Sequence, residues 1–283
     1  MIISIASGKG GTGKTTVASN LALSLDSQVK FLDCDVEEPN AHLFVKPRFE
    51  IDETVSTAVP QVDENKCTLC GKCAEICQFK AIVVIGESVL VFDELCHSCG
   101  GCMEVCPEAA IRETGRELGI IEKGHVDGLA FVHGRLRVGE AMSPPLIRKV
   151  RTFEDPDIVT IIDAPPGTSC PVIAAMKGAD FVLLVTEPTP FGLHDLKLAV
   201  GAVRVLNIPC GLIINRSDIG DDKVREYAEQ EGIPLLMEIP FDRKIAEAYS
   251  KGEILVRLAP EWKEKFQRLY PAIQELVSEH GAA

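Results

Sequence analysis

Eight cysteines fall between Cys67 and Cys106, and they form the same run twice. Cys67, Cys70, Cys73 and Cys77 follow the spacing C-x2-C-x2-C-x3-C, and Cys96, Cys99, Cys102 and Cys106 repeat it 29 positions later. The repeat extends beyond the thiols, since Gly71 maps onto Gly100, Glu75 onto Glu104, Ala81 onto Ala110 and Ile82 onto Ile111. A segment this short, with little apolar content of its own, needs a source of stability other than a hydrophobic core. Metal clusters supply one. Three thiolates at x2 spacing wrap one [4Fe–4S] cubane, and the fourth cysteine begins a helix aimed at the other cluster. The implied sets are Cys67, Cys70, Cys73 and Cys106 on one cluster, and Cys96, Cys99, Cys102 and Cys77 on the other. Zinc is the alternative for any C-x2-C pair, but a zinc site takes two pairs, which a threefold run repeated once does not match. The two halves differ at one informative position: Gln78 stands where the second half has Pro107. Ligation is expected to survive this change, with an altered potential or solvent access at the affected cluster.

The sequence on either side has a different rhythm. Ile2 to Ala6 reads as a short apolar strand, Gly8 to Gly13 as a glycine-rich loop, Lys14 to Leu25 as a helix and Val29 to Leu32 as a second strand. Further strands are predicted at Ile158–Ile162, Phe181–Val185, Gly211–Ile214 and Leu235–Ile239, with helical patterns between them. Alternating strands and helices give a parallel sheet covered on both faces. Gly128 to Val138 reads as a hairpin turning at His133-Gly134, and Pro144-Pro145 as the opening of a helix that leads back to the main sheet.

Gly8-Lys9-Gly10-Gly11-Thr12-Gly13-Lys14-Thr15 satisfies G-x-x-x-x-G-K-[ST], the phosphate-binding loop. Backbone N–H groups must turn inward around an anion there, in dihedrals that glycine tolerates, and the following helix adds its positive end. Lys14 is expected to reach the β- and γ-phosphates, and the Thr15 hydroxyl to ligate Mg2+. Gly8, Gly10 and Gly13 also spell the dinucleotide pattern G-x-G-x-x-G, with Asp33 at the end of the second strand. Two features favour the mononucleotide. Lys14-Thr15 has no purpose in a dinucleotide loop, and a second carboxylate, Asp163, ends an apolar strand and runs into Ala164-Pro165-Pro166-Gly167.

With its extra lysine at Lys9, the segment GKGGTGKTT, ending at Thr16, resembles the deviant Walker A motif of the MinD, ParA and nitrogenase iron-protein class. The segment from Phe31 to Asp35, followed by Pro39-Asn40, resembles that class's switch I, and Asp163 to Gly167 resembles its switch II. The whole chain resembles MinD-superfamily ATPases that contain an inserted ferredoxin domain.

The resemblance implies an α/β fold, a doubly wound, mostly parallel sheet with a two-cluster bacterial-ferredoxin-like module. The ATPase domain would occupy residues 1–57 and 115–283 and the module 58–114. It also implies ATP or ADP with Mg2+, and a dimer in which Lys9 reaches the partner's phosphates. Asp35 would position the attacking water and Asp163 would hold Mg2+ through water. Asn215 matches the position that recognises adenine, with a strand-end turn former as the alternative, and Pro240 and Phe241 belong to the loop that closes over the base. Cys170 follows Asp163 at the spacing of an inter-subunit cluster cysteine in the nitrogenase iron protein; the alternative is a small buried residue at a helix start. Cys34 and Cys210 are expected in the core.

Function follows from the same resemblance. ATP-driven closure of a homodimer, or of a heterodimer with a related ATPase, would be coupled to electron transfer or metallocluster assembly on a small redox or cluster-binding partner. The alternative is a MinD-like spatial switch whose clusters are structural staples. The formal net charge of −13 argues against binding nucleic acid or anionic lipid. The apolar run at the N-terminus is too short for a signal segment, and no stretch approaches the roughly 18 apolar residues of a membrane span. Pro260 to His280 has apolar residues at helical spacing, but its polar face carries glutamates, so it is expected to dock on the core rather than on a membrane. Cysteines outside oxidising compartments stay reduced, and the expected location is cytoplasmic.

Overall fold

Short apolar runs become neighbouring strands in the computed structural model, which describes residues 1–282. In chain order the strands are β1 (Ile2–Ala6), β2 (Val29–Asp33), β3 (Arg48–Val62), β4 (Ile82–Ile85), β5 (Ser88–Val91), β6 (Ile111–Val126), β7 (Leu129–Leu136), β8 (Val159–Asp163), β9 (Phe181–Thr186), β10 (Cys210–Asn215) and β11 (Leu235–Ile239). The helices are α1 (Lys14–Ser24), α2 (Ala41–Val45), α3 (Lys72–Ile76), α4 (Gly101–Glu104), α5 (Pro144–Arg151), α6 (Cys170–Met176), α7 (Pro190–Val205), α8 (Lys223–Gln230), α9 (Arg243–Ser250), α10 (Leu255–Leu258) and α11 (Pro260–Ala282). Nine strands make one sheet in the order β11-β10-β9-β1-β8-β2-β7-β6-β3, while β4 and β5 pair separately. From β11 to β7 every pairing is parallel; β6 and β3 join antiparallel at one edge.

The unbroken apolar character of the central strands follows from burial on both faces. Ile161 and Ile162 are neighbours on β8 and point to opposite sides, yet both are fully buried. Ile161 packs in a core with Phe31, Phe131, Leu21 of α1 and Phe266 of α11. Ile162 packs with Leu32, Leu146 of α5, Val172 of α6 and Leu196 of α7. Helix α11 docks as its pattern predicts, burying Phe266, Leu269 and Ile273. Its Gln267 Nε2 donates to the Ser24 carbonyl at the end of α1, 2.9 Å away. Among the described residues no helix is long and apolar enough to cross a membrane.

The edge strands correct one expectation. Residues 128–138 do not form a hairpin turning at His133-Gly134; β7 runs straight through both residues. The turn lies at Asp127-Gly128, where both residues have positive φ (48° and 82°), the geometry that joins β6 to β7. Gly134 serves packing instead, because a Cβ there would lie 2.7 Å from Val36 and 2.8 Å from Val150. Strands β3 and β6 are 15 and 16 residues long. The half of β6 from Gly119 to Val126 pairs with β7, and the remainder continues beyond the main sheet with β3 as a two-stranded ribbon. The pairing slips between Val55 and Ser56, near the point where the ribbon leaves the sheet. The expected boundaries at 57/58 and 114/115 therefore fall inside strands, almost opposite each other, with Thr57 paired to Arg116 and Ala58 to Gly115.

Residues between the ribbon strands fold at its tip around very small cores. One contains Val59, Ala81 and Cys96; the other contains Cys73, Ile82 and Ile111. The 29-residue repeat is visible in the backbone: positive φ occurs at Leu69 and Ser98, Gly71 and Gly100, and Lys80 and Ala109. Changing Pro107 to Gln78 leaves this pattern intact.

Candidate functional site

The glycine-rich loop connects β1 to α1 at the sheet's crossover point, since β1 lies between β8 and β9 while its own helix leads to β2. Ligands bind at such points, beyond the carboxyl ends of the strands. Gly11 and Gly13 take φ values of 81° and 92°. Helix α1 starts at Lys14 with no side-chain cap, which leaves its first N–H groups available to an anion. Gly13 has a further constraint, because a Cβ would lie 2.4 Å from Asn215 Nδ2. That same Nδ2 donates to the Thr12 carbonyl at 2.8 Å, so Asn215 pins the loop from β10 as well as facing the cleft. Gly8 lies outside the cleft lining, and its lack of a Cβ accommodates the Asp195 carbonyl of α7, which a Cβ would approach to 2.2 Å.

Register brings three carboxylates together. Asp33 and Asp163 are paired across β2 and β8, and Asp35 follows two residues on. Lys14 Nζ lies 3.0 Å from Asp163 Oδ1 and 3.8 Å from Asp35 Oδ2, almost fully buried. Burial works against the ammonium, but Asp163 and Asp35 outweigh it and hold the Lys14 pKa above its ordinary value. Asp33, completely buried, is pushed well above the usual carboxylate range by burial and by Asp163 and Asp35; it accepts N–H bonds from Asp35 and Ala41 at 3.1 Å. Asp163 Oδ2 and Thr12 Oγ1 are buried and have no hydrogen-bond partner among the described residues. This unpartnered carboxylate oxygen suits a hard cation with oxygen ligands such as Mg2+, and Thr15, in the first turn of α1, lines the same cleft as Lys14.

Asp35 has its pKa raised to about 6, first by burial, which Lys14 opposes, and further by Asp163, Glu37 and Glu38. Its folded value exceeds the ordinary 3.8, so the stability it contributes is complete below pH 3.8 and lost as pH rises through 6. In the water-positioning role that the family resemblance implies, Asp35 would need its carboxylate, so activity would run the other way. Hydrolysis in the wild type is expected to fall as pH drops below about 6. A pH–rate profile of Asp35→Asn, with a small residual rate that lacks this acid limb, checks the assignment.

The open cleft, about 1380 Å³, is lined by Lys9, Gly10, Gly11, Thr12, Gly13, Lys14, Thr15, Thr16, Asp35, Asn215, Pro240 and Phe241 among others. Lys9 does not touch the carboxylate cluster. Its Nζ lies 3.6 Å from Glu187 Oε2, and the same carboxylate receives Arg216 Nη1 at 2.6 Å. Sequence reasoning missed both partners, because neither belongs to a motif. It also missed an aromatic group beside the end of β2, where His133 pairs with Asp33. There His133 is buried between His42 and Phe49, with ring centroids 5.3 and 5.1 Å away, and its Nε2 is 2.9 Å from Glu122 Oε2. Burial holds the His133 pKa below its ordinary value although Glu122 opposes the shift.

The eight run cysteines surround two cavities at the ribbon tip. Cys67, Cys70, Cys73 and Cys106 line one. Cys77, Cys96, Cys99 and Cys102 line the other. Each quartet draws its fourth sulfur from the opposite run. Backbone N–H groups already point at several sulfurs, with Ala81 to Cys77 and Ala110 to Cys106 both at 3.3 Å and Ser98 to Cys96 at 3.4 Å. At Cys77 burial raises the pKa, but N–H donors from Ala81, Phe79, Ile82 and Lys80 outweigh it and hold the thiol below its ordinary range. Such a donor set, four thiols with N–H support, suits an iron–sulfur cluster. Among the described residues no three His, Cys, Asp or Glu side chains are placed to hold a single metal ion. Cys34 is in the core and its pKa is raised by burial; Cys210 is half-buried and also raised. Cys170 is exposed at the start of α6, which removes the buried-residue alternative for it.

Fold and cleft together define a P-loop nucleotide-binding protein. The sequence profile of the CobQ/CobB/MinD/ParA nucleotide binding domain matches residues 3–256, and the chain belongs to that family as a ParA/MinD-like ATPase. An uncharacterized protein of Methanocaldococcus jannaschii is 31% identical over 262 residues, covering 91% of this chain and 92% of its own. An iron-sulfur cluster carrier protein of the same organism is 26% identical, covering 97% of this chain and 84% of its own. The cell division ATPase MinD of Pyrococcus furiosus superposes with a TM-score of 0.60 at 24% identity, over 97% of this chain and 98% of that one, a likeness of fold.

Proposed function

We propose that this chain binds and hydrolyses ATP with Mg2+ and couples nucleotide-driven dimer closure to two [4Fe–4S] clusters that serve a partner protein. The observation that carries this reading is the placement of a phosphate-binding cleft and two four-cysteine cavities on one continuous sheet. Residues 58–114 act as the ferredoxin-like module, and residues 1–57 with 115–283 as the ATPase domain. In the cleft, Lys14 holds the β- and γ-phosphates in exchange for its carboxylate partners, and Asp35 orients the attacking water. Thr15 and Asp163 hold Mg2+, which neutralises charge on the phosphates. Asn215, Pro240 and Phe241 contact the base. Lys9 leaves Glu187 and reaches the phosphates of a second subunit, either a copy of this chain or a related ATPase. The clusters, bound by the two quartets, supply one-electron chemistry or are themselves delivered. The protein works in the cytoplasm, away from membrane and nucleic acid.

Two outcomes of closure remain, and one experiment separates them. The anaerobically purified protein is reduced and then mixed with ATP and a candidate small cluster-binding or redox protein. Electron transfer predicts reoxidation only with both present, while iron stays bound. Cluster assembly predicts that iron moves to the partner, an outcome favoured by the relative named as an iron-sulfur cluster carrier. Purified protein that is folded but free of iron, or that has no affinity for Mg·ATP, would sink the proposal.

A further inference from the structure

The two cysteine cavities differ at their mouths, and the 29-residue repeat allows comparison position by position. The cavity of Cys77, Cys96, Cys99 and Cys102 is rimmed by Ile76, Phe79 and His97. Their counterparts in the repeat are Val105, Glu108 and Thr68, and the last two line the mouth of the other cavity. At these two positions one lining is aromatic where the other is polar or charged, although Leu69 and Val84 of the cavity with Cys67 stand where the one with Cys77 has Ser98 and Glu113. Phe79 and His97 stack face to face, with centroids 3.5 Å apart and planes 11° from parallel. Phe79 and Ile76 are each 45% exposed, and Leu95, just before Cys96, is 50% exposed. Neither small core needs this exposed surface, since Phe79, Ile76 and Leu95 belong to neither.

Charge indicates what would cover it. From Asp63 to Glu108 there are eight carboxylates against three lysines, a net of −5. Asp93 and Glu94 precede Leu95 directly, and Glu113 is part of the cavity lining. Lys80 is the basic residue beside Phe79, and Lys66 is engaged by Asp63 at 3.7 Å. A second copy of this chain would bring the same acidic rim and a net charge of −13, so like charges would oppose it. Apolar anchors at the centre with charge at the rim are the arrangement that binds a complementary protein, the anchors giving affinity and the rim giving steering.

We propose that Ile76, Phe79 and His97 form the docking face for the redox partner, a small protein that presents lysines around an apolar contact. The proposal rests on the functional reading above and assigns the partner to one of the two cavities. The test uses the full anaerobic protein and a cationic c-type cytochrome as probe, with binding measured by calorimetry at low and high salt. Phe79→Ala is expected to weaken binding about tenfold or more, with His97→Ala in the same direction and Glu108→Ala, at the other mouth, within twofold of wild type. Binding should also weaken as salt rises. Wild-type protein that ignores the cytochrome overturns the proposal, as does Phe79→Ala binding like wild type, or Glu108→Ala weakening binding as strongly. Self-association that Phe79→Ala abolishes would assign the face to a second copy and overturn it too. Iron content measured on the same samples keeps the failures apart. Iron-free wild type refutes the functional reading, whereas full iron with unmoved affinities refutes only this docking face.

Discussion

Lys14→Ala is expected to lower ATP hydrolysis by about a thousandfold or more, because the lysine is a preorganised charge where negative charge must be held in the transition state. The position explains why no neighbour substitutes for it. Lys14 Nζ is buried between Asp163 and Asp35, and Lys9 is engaged elsewhere by Glu187. Removing the ammonium also leaves those carboxylates without a countercharge, and breaking a buried pair in this way costs about 3 kcal/mol. Urea unfolding at pH 7 should show that loss. The gap should narrow below pH 6, where Asp35 takes up a proton in the folded wild type as well. A variant that hydrolyses ATP normally would refute the placement of the phosphates.

The second large effect concerns iron content. Cys77 belongs by sequence to the first run but lines the cavity of the second, and Cys106 does the converse. Two double variants with equal numbers of lost thiols therefore differ. Cys73→Ser with Cys106→Ser removes two ligands from one cavity and should leave one cluster, lowering iron from about eight to about four atoms per chain. Cys73→Ser with Cys77→Ser, both in the first run, removes one ligand from each cavity and should compromise both, with iron falling well below about four and the visible absorbance bleaching in air. Metal analysis and anaerobic spectra decide it. The reverse order, with the Cys73/Cys77 variant keeping about half its metal and the Cys73/Cys106 variant losing both sites, would mean that each run binds its own metal.

Much of the nucleotide cleft was legible from sequence because its constraints are local. A glycine loop between an apolar strand and a helix fixes Lys14, Thr15 and the approximate position of Asp163 without knowledge of the rest of the chain. The cysteine quartets were legible for a related reason, since spacing sets which sulfurs can face the same cavity. The ribbon was not. Along β3, residues such as Glu50, Asp52, Glu53 and Pro60 dilute the apolar signal, and the partner strand lies some sixty residues away. Nothing local marks Gly134 as a packing glycine rather than a turn; only the side chains of Val36 and Val150 decide that. Glu187, Arg216 and the bond from Asn215 to the loop were equally hidden, because they depend on where separate strands end in space.

One consequence follows from strand β7. It lies between β2, which ends in Asp33 and leads into switch I, and β6, which continues as the ribbon. The amide of Leu136 donates to the Val36 carbonyl at 2.8 Å, and Ser143 Oγ donates to Glu37 at 2.8 Å, so the end of β7 and the loop after it hold switch I directly. No slack tether separates the two halves of the molecule. The cysteine-bearing tip is the far end of a stiff arm whose near end is hydrogen-bonded to the segment after β2 that resembles switch I. A shift of an ångström at switch I would therefore be carried outward and enlarged along the arm, in the way a pointer enlarges the motion of its pivot.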